Sequence, residues 1–184
     1  YATFCRRLEK LIKEKTPTQI YTNLERIPGE SLEVDFAGDS VTRIDRRGKK
    51  RTSRLFLATL TFSQKIYICA FENEKQISWM GGIVKALEFF GGAPKTLIVD
   101  NAKSLVVTHG KDKIDYSPIL QSLCNYYGIS SFACRPGTPK GKNRVENSVT
   151  HTYRRVLASL RLNGPIRAGN LEDLNQQIAE HRDI

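Results

Sequence analysis

Lys95–Asn101, KTLIVDN, is the stretch whose reading decides the fold. Thr96, Leu97, Ile98 and Val99 form a short unbroken run rich in β-branched residues. Continuous apolar character over so few positions indicates a strand buried on both faces, as in a parallel sheet. Asp100 stands at the C-terminal tip of that run, followed by Asn101. In open α/β sheets ligands gather along that edge. Asp-Asn also starts turns and caps helices, so a functional and a structural carboxylate weigh equally here.

Upstream, Ser31–Ala37 (SLEVDFA) alternates Leu32, Val34 and Phe36 with Glu33, Asp35 and Ala37, the period of two that marks a strand. Two acids on its second face are unusual for a strand packed on both sides. Gly38-Asp39 breaks it, and Ser40–Asp45 extends it toward a turn around Gly48. Leu55–Phe62 and Lys65–Phe71, separated by Ser63-Gln64, read as an antiparallel hairpin. Glu74–Phe90 reads as a helix with Ile77, Met80, Val84, Leu87 and Trp79 inward, stopped by Gly91-Gly92 and Pro94.

Downstream, Ser117-Pro118 supplies an N-cap hydroxyl and a first-turn proline for a helix that Gly128 ends. Ile129–Cys134 reads as a fifth strand, and Arg135–Lys142 as a basic Gly/Pro loop. From Val145 the residues Val149, Tyr153, Val156, Leu157 and Leu160 recur at helical spacing, and Glu146 falls inside that apolar stripe. A core-facing carboxylate requires a partner, either a cation such as Lys142 one turn earlier or a metal ion. Gly164-Pro165 stops this helix, and Asn170–Arg182 forms a last one with Leu171, Leu174 and Ile178 on one side. The order predicts an α/β fold, a five-stranded mixed sheet flanked by helices on both faces.

The 184 residues suffice for one domain with a full core, and the net charge of +10 points to a polyanionic partner. Arg43–Arg54 alone sets Arg43, Arg46, Arg47, Lys49, Lys50, Arg51 and Arg54 against Asp45. A hairpin tip this basic exceeds what solubility requires and is read as a phosphate contact. Thr3–Lys15 is a basic amphipathic helix, read as a solvated arm. No apolar run reaches the roughly 18 residues of a membrane-spanning helix, and no signal peptide opens the chain, so a soluble, cytoplasmic protein is expected. Cys5, Cys69, Cys124 and Cys134 complete no zinc spacing with His109, His151 and His181, and the four cysteines are read as reduced structural thiols. Tyr1 and Ile184 give the chain the look of an excised piece.

Three acids stand out by position: Asp35 in mid-strand, Asp100 at a strand tip and Glu146 on a core-facing helix turn. Three converging carboxylates cannot all stay ionised without cations, so convergence implies metal. A metal pair about 3.5–4 Å apart could clamp the attacking and leaving oxygens of an in-line phosphoryl displacement.

With V-D-F-A-G at 34–38, I-V-D-N at 98–101 and K-G-K-N-R-V-E-N at 140–147, the chain resembles the catalytic core of DDE transposases and retroviral-type integrases. E-V-D-F-A-G, F-F-G-G-A-P-K and D-N-A-K make it similar to the IstA-type transposases of bacterial insertion sequences. The resemblance implies an RNase H-like fold and Asp35, Asp100 and Glu146 as ligands of two Mg²⁺ ions, with Mn²⁺ as substitute. It also implies release of 3′-hydroxyls at element ends and their attack on target DNA. The partners implied are DNA, further copies of the chain assembled on it, and an AAA+ ATPase helper of the IstB type. Arg46, Arg47, Lys49, Lys50, Lys103, Lys140, Lys142, Arg144 and Arg155 are the expected DNA contacts. Asp35 is expected to bridge both ions, with Asp100 and Glu146 holding one each, while Glu33 and Asp39 are read as structural. The expected division is an arm over 1–29, the catalytic core over 30–162 and a helical extension over 163–184. Ala102-Lys103 departs from the glycine usual after Asp-Asn in integrase-type cores. The long interval from Asp100 to Glu146 predicts a bulging segment at His109–Asp115. The rival readings are a DNA-binding scaffold without chemistry, in which Glu146 pairs with Lys142, and a structure-selective nuclease of the same fold.

Overall fold

The computed structural model describes residues 26–99, 104–109, 114–133 and 153–182. The strands are β1 (Ser31–Ile44), β2 (Lys50–Leu60), β3 (Ile66–Phe71), β4 (Thr96–Val99), β5 (Val106–His109), β6 (Ile114–Tyr116) and β7 (Ser130–Ala133). The helices are α1 (Gln76–Phe90), α2 (Pro118–Tyr127), α3 (residues 153–161) and α4 (Leu171–Arg182). Five strands form a mixed sheet, as expected, and run in the order β3-β2-β1-β4-β7, while β5 and β6 pair separately. That small hairpin occupies part of the segment expected to bulge at 109–115. β1, β2 and β3 are antiparallel neighbours, while β4 runs parallel to β1 and β7 parallel to β4. No helix among the described residues is long and apolar enough to cross a membrane.

The alternation of side chains along β2 and β3 divides the interior in two, because successive residues point to opposite faces. Phe56, Ala58, Tyr67 and Cys69 join Leu32, Val34 and Phe36 of β1 against Trp79, Met80, Ile83, Ala86 and Leu87 of α1 and Leu120 and Cys124 of α2. Leu55, Leu57, Ile66, Ile68 and Ala70 turn the other way, onto Val156 and Leu157 of α3, Ile166, Ala168, and Leu174 and Ile178 of α4. Helices thus cover both faces. Residues 166–178 are built into the second core. Cys69 and Cys124 are buried free thiols. Cys5 and Cys134, and the amphipathic stretch 3–15, lie outside the described residues.

Both edges of the sheet are closed by side chains. Ala70 on β3 donates its N–H to Asn175 Oδ1 at 2.6 Å and accepts from Asn175 Nδ2 at 3.1 Å. On β7, Ala133 N–H donates to the Tyr116 hydroxyl at 2.9 Å, and that hydroxyl donates to Ser131 O at 3.2 Å. Unpaired strand groups would otherwise be left open to another chain. α2 begins as expected, with Ser117 Oγ accepting from Leu120 N–H at 3.4 Å.

α1 corrects the expected inward face. Ile77 is 72% exposed and Val84 only half-buried, while Ser78, Gly82, Ile83 and Ala86 are buried beside Trp79 and Met80. The cause is Gly82: a Cβ there would lie 2.7 Å from the Phe56 ring. The helix therefore approaches the sheet through its glycine, which rotates Ile77 outward. Gly82→Ala is expected to lower stability by about 1–3 kcal/mol through overpacking, net of the roughly 1 kcal/mol that alanine adds to a helix. Urea unfolding checks this, and an unchanged or raised midpoint would contradict the packing.

Candidate active site

Asp35 lies on β1 between two buried residues, Val34 and Phe36, and its own side chain is exposed. The pleat explains both: Val34 and Phe36 point into the α1 core, and Asp35 shares the opposite face with Leu57, its partner on β2. Phe36 is clamped by edge-to-face contacts with Trp79 at 4.7 Å and Phe56 at 5.5 Å between ring centroids. Its N–H donates to Asp35 Oδ1 at 2.8 Å. The strand cannot slip by one residue without putting a carboxylate into this aromatic core.

β4 supplies the next element. Val34 pairs in parallel with Val99, the last residue of β4, so Asp35 follows one member of that pair and Asp100 follows the other. The alternation along β4 corrects the expected burial on both faces: Leu97 and Val99 are buried, while Thr96 and Ile98 are half-buried. Ser104, on the far side of residues 100–103, is tied to the start of α1. Its hydroxyl donates to Glu74 O at 3.2 Å and its carbonyl accepts from Gln76 Nε2 at 2.8 Å.

Immediately after Asp35 the strand bulges. Phe36 pairs with Phe56 but Ser40 pairs with Arg54, so β1 advances four residues while β2 advances two. Bulges of this kind bend a strand and re-aim its side chains. Arg54 pairs with Glu74 and donates to Gly38 O at 3.4 Å, holding the bulge to the segment before α1. Asp39 is exposed on the bulge, and its charge adds to burial, the larger cause, in raising the Tyr153 hydroxyl above its ordinary range. Tyr153, in the first described turn of α3, packs on the core cluster that includes Ala37 of the bulge and Leu57, the partner of Asp35. Glu33, the other competing acid, is half-buried and in register with Ile98 and Thr59.

Asp100, Lys103, Lys140, Lys142, Arg144 and Glu146, with Asn101, lie outside the described residues. Among the described residues no three His, Cys, Asp or Glu side chains come together. Arg155 is exposed on α3, and Arg46, Arg47, Lys49 and Lys50 are exposed at the β1–β2 tip. Arg43, counted with the basic tip in the sequence, is instead 5% exposed and donates to Ala168 O at 3.1 Å. It shares the inward face of Val41, two residues before it. The sequence reading missed Arg167, which is exposed and whose backbone bridges to Ile44. No periodicity surrounds it to give a signal.

This arrangement defines a class: a mixed sheet presenting an exposed carboxylate on its first strand, beside the C-terminal end of a parallel neighbour. The chain belongs to the Integrase core domain family, which matches residues 25–139. It is 33% identical over 98% of its length to the protein assigned as transposase of insertion sequence IS408 in Burkholderia multivorans, of which it covers 34%. It is 23% identical over 91% of its length to the transposase of IS21 in Pseudomonas aeruginosa, covering 41% of it. The chain thus spans well under half the length of these relatives. Among solved structures, the HTLV-2 integrase catalytic core domain in complex with magnesium superposes with a TM-score of 0.56 at 17% identity, over 85% of each chain. The fold is that of the RNase H-like integrase cores.

The basic tip depends on Asp45, whose Oδ1 accepts from Arg47 and Lys49 N–H, both at 2.9 Å, while Oδ2 meets Arg51 Nε at 3.1 Å. Foremost the Lys49 N–H, with Arg51 and the Arg47 N–H behind it, holds its carboxyl below the usual aspartate range, against desolvation, which opposes them and ranks second only to the Lys49 N–H. A lowered native pKa means that the carboxylate stabilises the turn in full above the unfolded value of about 3.9 and loses that contribution as pH falls through the native value. Amide-exchange protection factors for Arg47 and Lys49 are therefore expected to drop on acidification below about pH 4 and to be lost at every pH in Asp45→Ala. Protection in that variant equal to wild type would contradict the assignment.

Proposed function

We propose that this chain is the catalytic core of an IstA-type DNA transposase, cutting element ends to free 3′-hydroxyls and joining them to target DNA by metal-dependent phosphoryl transfer. The observation that carries the reading is the parallel register of Val34 with Val99, with the exposed Asp35 next along β1 and Asp100 next after β4. The packing of Tyr153 on the cluster that includes Ala37 and Leu57 supports bringing Glu146, seven residues earlier in the sequence, to the same face. The transposases of IS408 and IS21 support the substrate class.

The donor set fits hard divalent cations, which take carboxylate oxygens. Asp35, Asp100 and Glu146 would hold two Mg²⁺ ions, and Mn²⁺ would substitute. When bound, such ions stabilise the attacking and leaving oxygens of an in-line displacement. The chain's own residues do the rest. The Phe36 N–H fixes the Asp35 carboxylate on the sheet face, and the aromatic core beneath keeps β1 from moving. Arg155, with Lys103, Lys140, Lys142 and Arg144, neutralises phosphates around the cut, and Arg46, Arg47, Lys49 and Lys50 bind DNA farther out. Residues 30–162 form the catalytic core and 163–184 a helical extension that seals its second face. The protein works as an oligomer on DNA in the bacterial cytoplasm, with an AAA+ ATPase helper of the IstB type.

The test is cleavage and joining of element-end DNA by the full-length protein with Mg²⁺. Asp35→Asn is expected to reduce both by about a hundred- to a thousandfold, the scale of losing preorganised electrostatic stabilisation, with DNA affinity and thermal midpoint near wild type. Retained activity would end the assignment, and cleavage without joining in the wild type would favour a nuclease.

A further inference from the structure

The β1–β2 hairpin extends well past the end of β4, and its outer end is both cationic and braced. Arg46, Arg47, Lys49 and Lys50 are exposed there, joined by Arg167 from the segment after α3. The one acid in the turn, Asp45, is engaged by Arg51 and two backbone N–H groups. Bracing comes from the 166–169 segment: Ile44 N–H donates to Ile166 O at 2.8 Å, and Ala168 N–H donates to Ile44 O at 3.1 Å. The buried Arg43 donates to Ala168 O from behind. Gly169 leaves room for Arg46, since a Cβ at that position would stand 2.5 Å from Arg46 Nε and 2.9 Å from Cγ. Gly169 is itself pinned, its N–H donating to Asp173 Oδ2 at 2.7 Å while Asp173 N–H donates to Asn170 Oδ1 at 2.8 Å.

We propose that this tip, with Arg167, is a second DNA-docking surface: a preformed clamp on the duplex backbone, set at a fixed distance from the phosphate that is cut. The position of the cut rests on the function proposed above. Asp35 pairs with Leu57 and Ile44 with Lys50. The seven intervening steps on β2, at about 3.4 Å each, place the base of the tip about 24 Å from Asp35. Duplex DNA advances about 3.4 Å per base pair, so a duplex lying along the hairpin meets the tip about seven base pairs from the cut. Arginine forks and lysine ammonium groups are the natural partners of phosphate oxygens. Asp45 meets Arg51 and Asp173 acts on Arg46, but the exposed cations outnumber these two carboxylates, and the excess is self-repulsive until a polyanion arrives. A braced backbone limits the ordering cost on binding, which a loose turn would not.

The experiment uses the full-length protein and a duplex carrying the insertion-sequence end, with affinity measured by fluorescence anisotropy across a series of KCl concentrations. The triple substitution Arg47→Ala, Lys49→Ala, Arg167→Ala is expected to flatten the log–log salt slope by about 2.7, close to 0.9 for each phosphate contact. Lys95→Ala, which removes one charge at the opposite end of β4, leaves the slope near wild type. Arg46→Ala and Gly169→Ala each flatten it by about 0.9, and the double variant no more than either alone, because the glycine acts through Arg46. Neutral methylphosphonates placed singly along the duplex weaken wild-type binding about six to eight base pairs from the cut and weaken it less there in the triple variant. A triple-variant slope equal to wild type, or sensitivity confined to phosphates next to the cut, overturns the clamp. Asp35→Asn separates the two ideas: with this result intact but cleavage retained, the catalytic assignment fails and the clamp stands.

Discussion

The structure depends on the parallel pairing of β4 with β1 above a packed aromatic core. Hydrogen bonds set the register of Val34 with Val99, and Phe36, locked among Phe56, Phe71 and Trp79, forbids any other. Since side chains alternate along a strand, burying Val34 and Phe36 on one face obliges Asp35 to stand on the other. A carboxylate is thereby held at a fixed point beside the end of a neighbouring strand, with no dedicated scaffold of its own.

The second face of the sheet is completed late in the chain. Leu174 and Ile178 are fully buried against β2 and β3, and Asn175 occupies the hydrogen-bonding groups of Ala70 on the outer strand. The final helix is thus part of what keeps the sheet a closed unit. The segment before it braces the basic hairpin through Ile44. Core packing and surface charge are connected at this point: Arg43 enters the interior to reach Ala168, and its neighbours Arg46 and Arg47 remain outside.

Much of this is legible in the residues alone. The alternation in SLEVDFA and the unbroken TLIV run yield the strands and the exposure of Asp35, because period two reflects burial directly, whereas the continuous apolarity of TLIV hides the half-exposure of Thr96 and Ile98. The face of α1 is not legible, because Gly82 contributes nothing to a hydrophobic stripe although its lack of a side chain determines how close the helix sits to Phe56. Arg43 reads as surface charge because cations are rarely buried, yet its spacing from Val41 carried the opposite signal. The β5–β6 pair hides because its strands are only four and three residues long, and Arg167 lies in a stretch without periodicity. Of the three acids, the strand geometry accounts for Asp35, while the sequence order and the family resemblance supply Asp100 and Glu146.

The claim that everything else serves is that carboxylates distant in sequence meet on this sheet face to bind paired divalent cations. Anomalous scattering from crystals soaked in Mn²⁺ measures this most directly. The account predicts two manganese peaks about 3.5–4 Å apart, both within ligand distance of Asp35, with Asp100 on one and Glu146 on the other. Ordered density with no manganese at Asp35, or with either of the other carboxylates more than about 10 Å away, well beyond the 2.0–2.6 Å reach of an oxygen ligand, would contradict it.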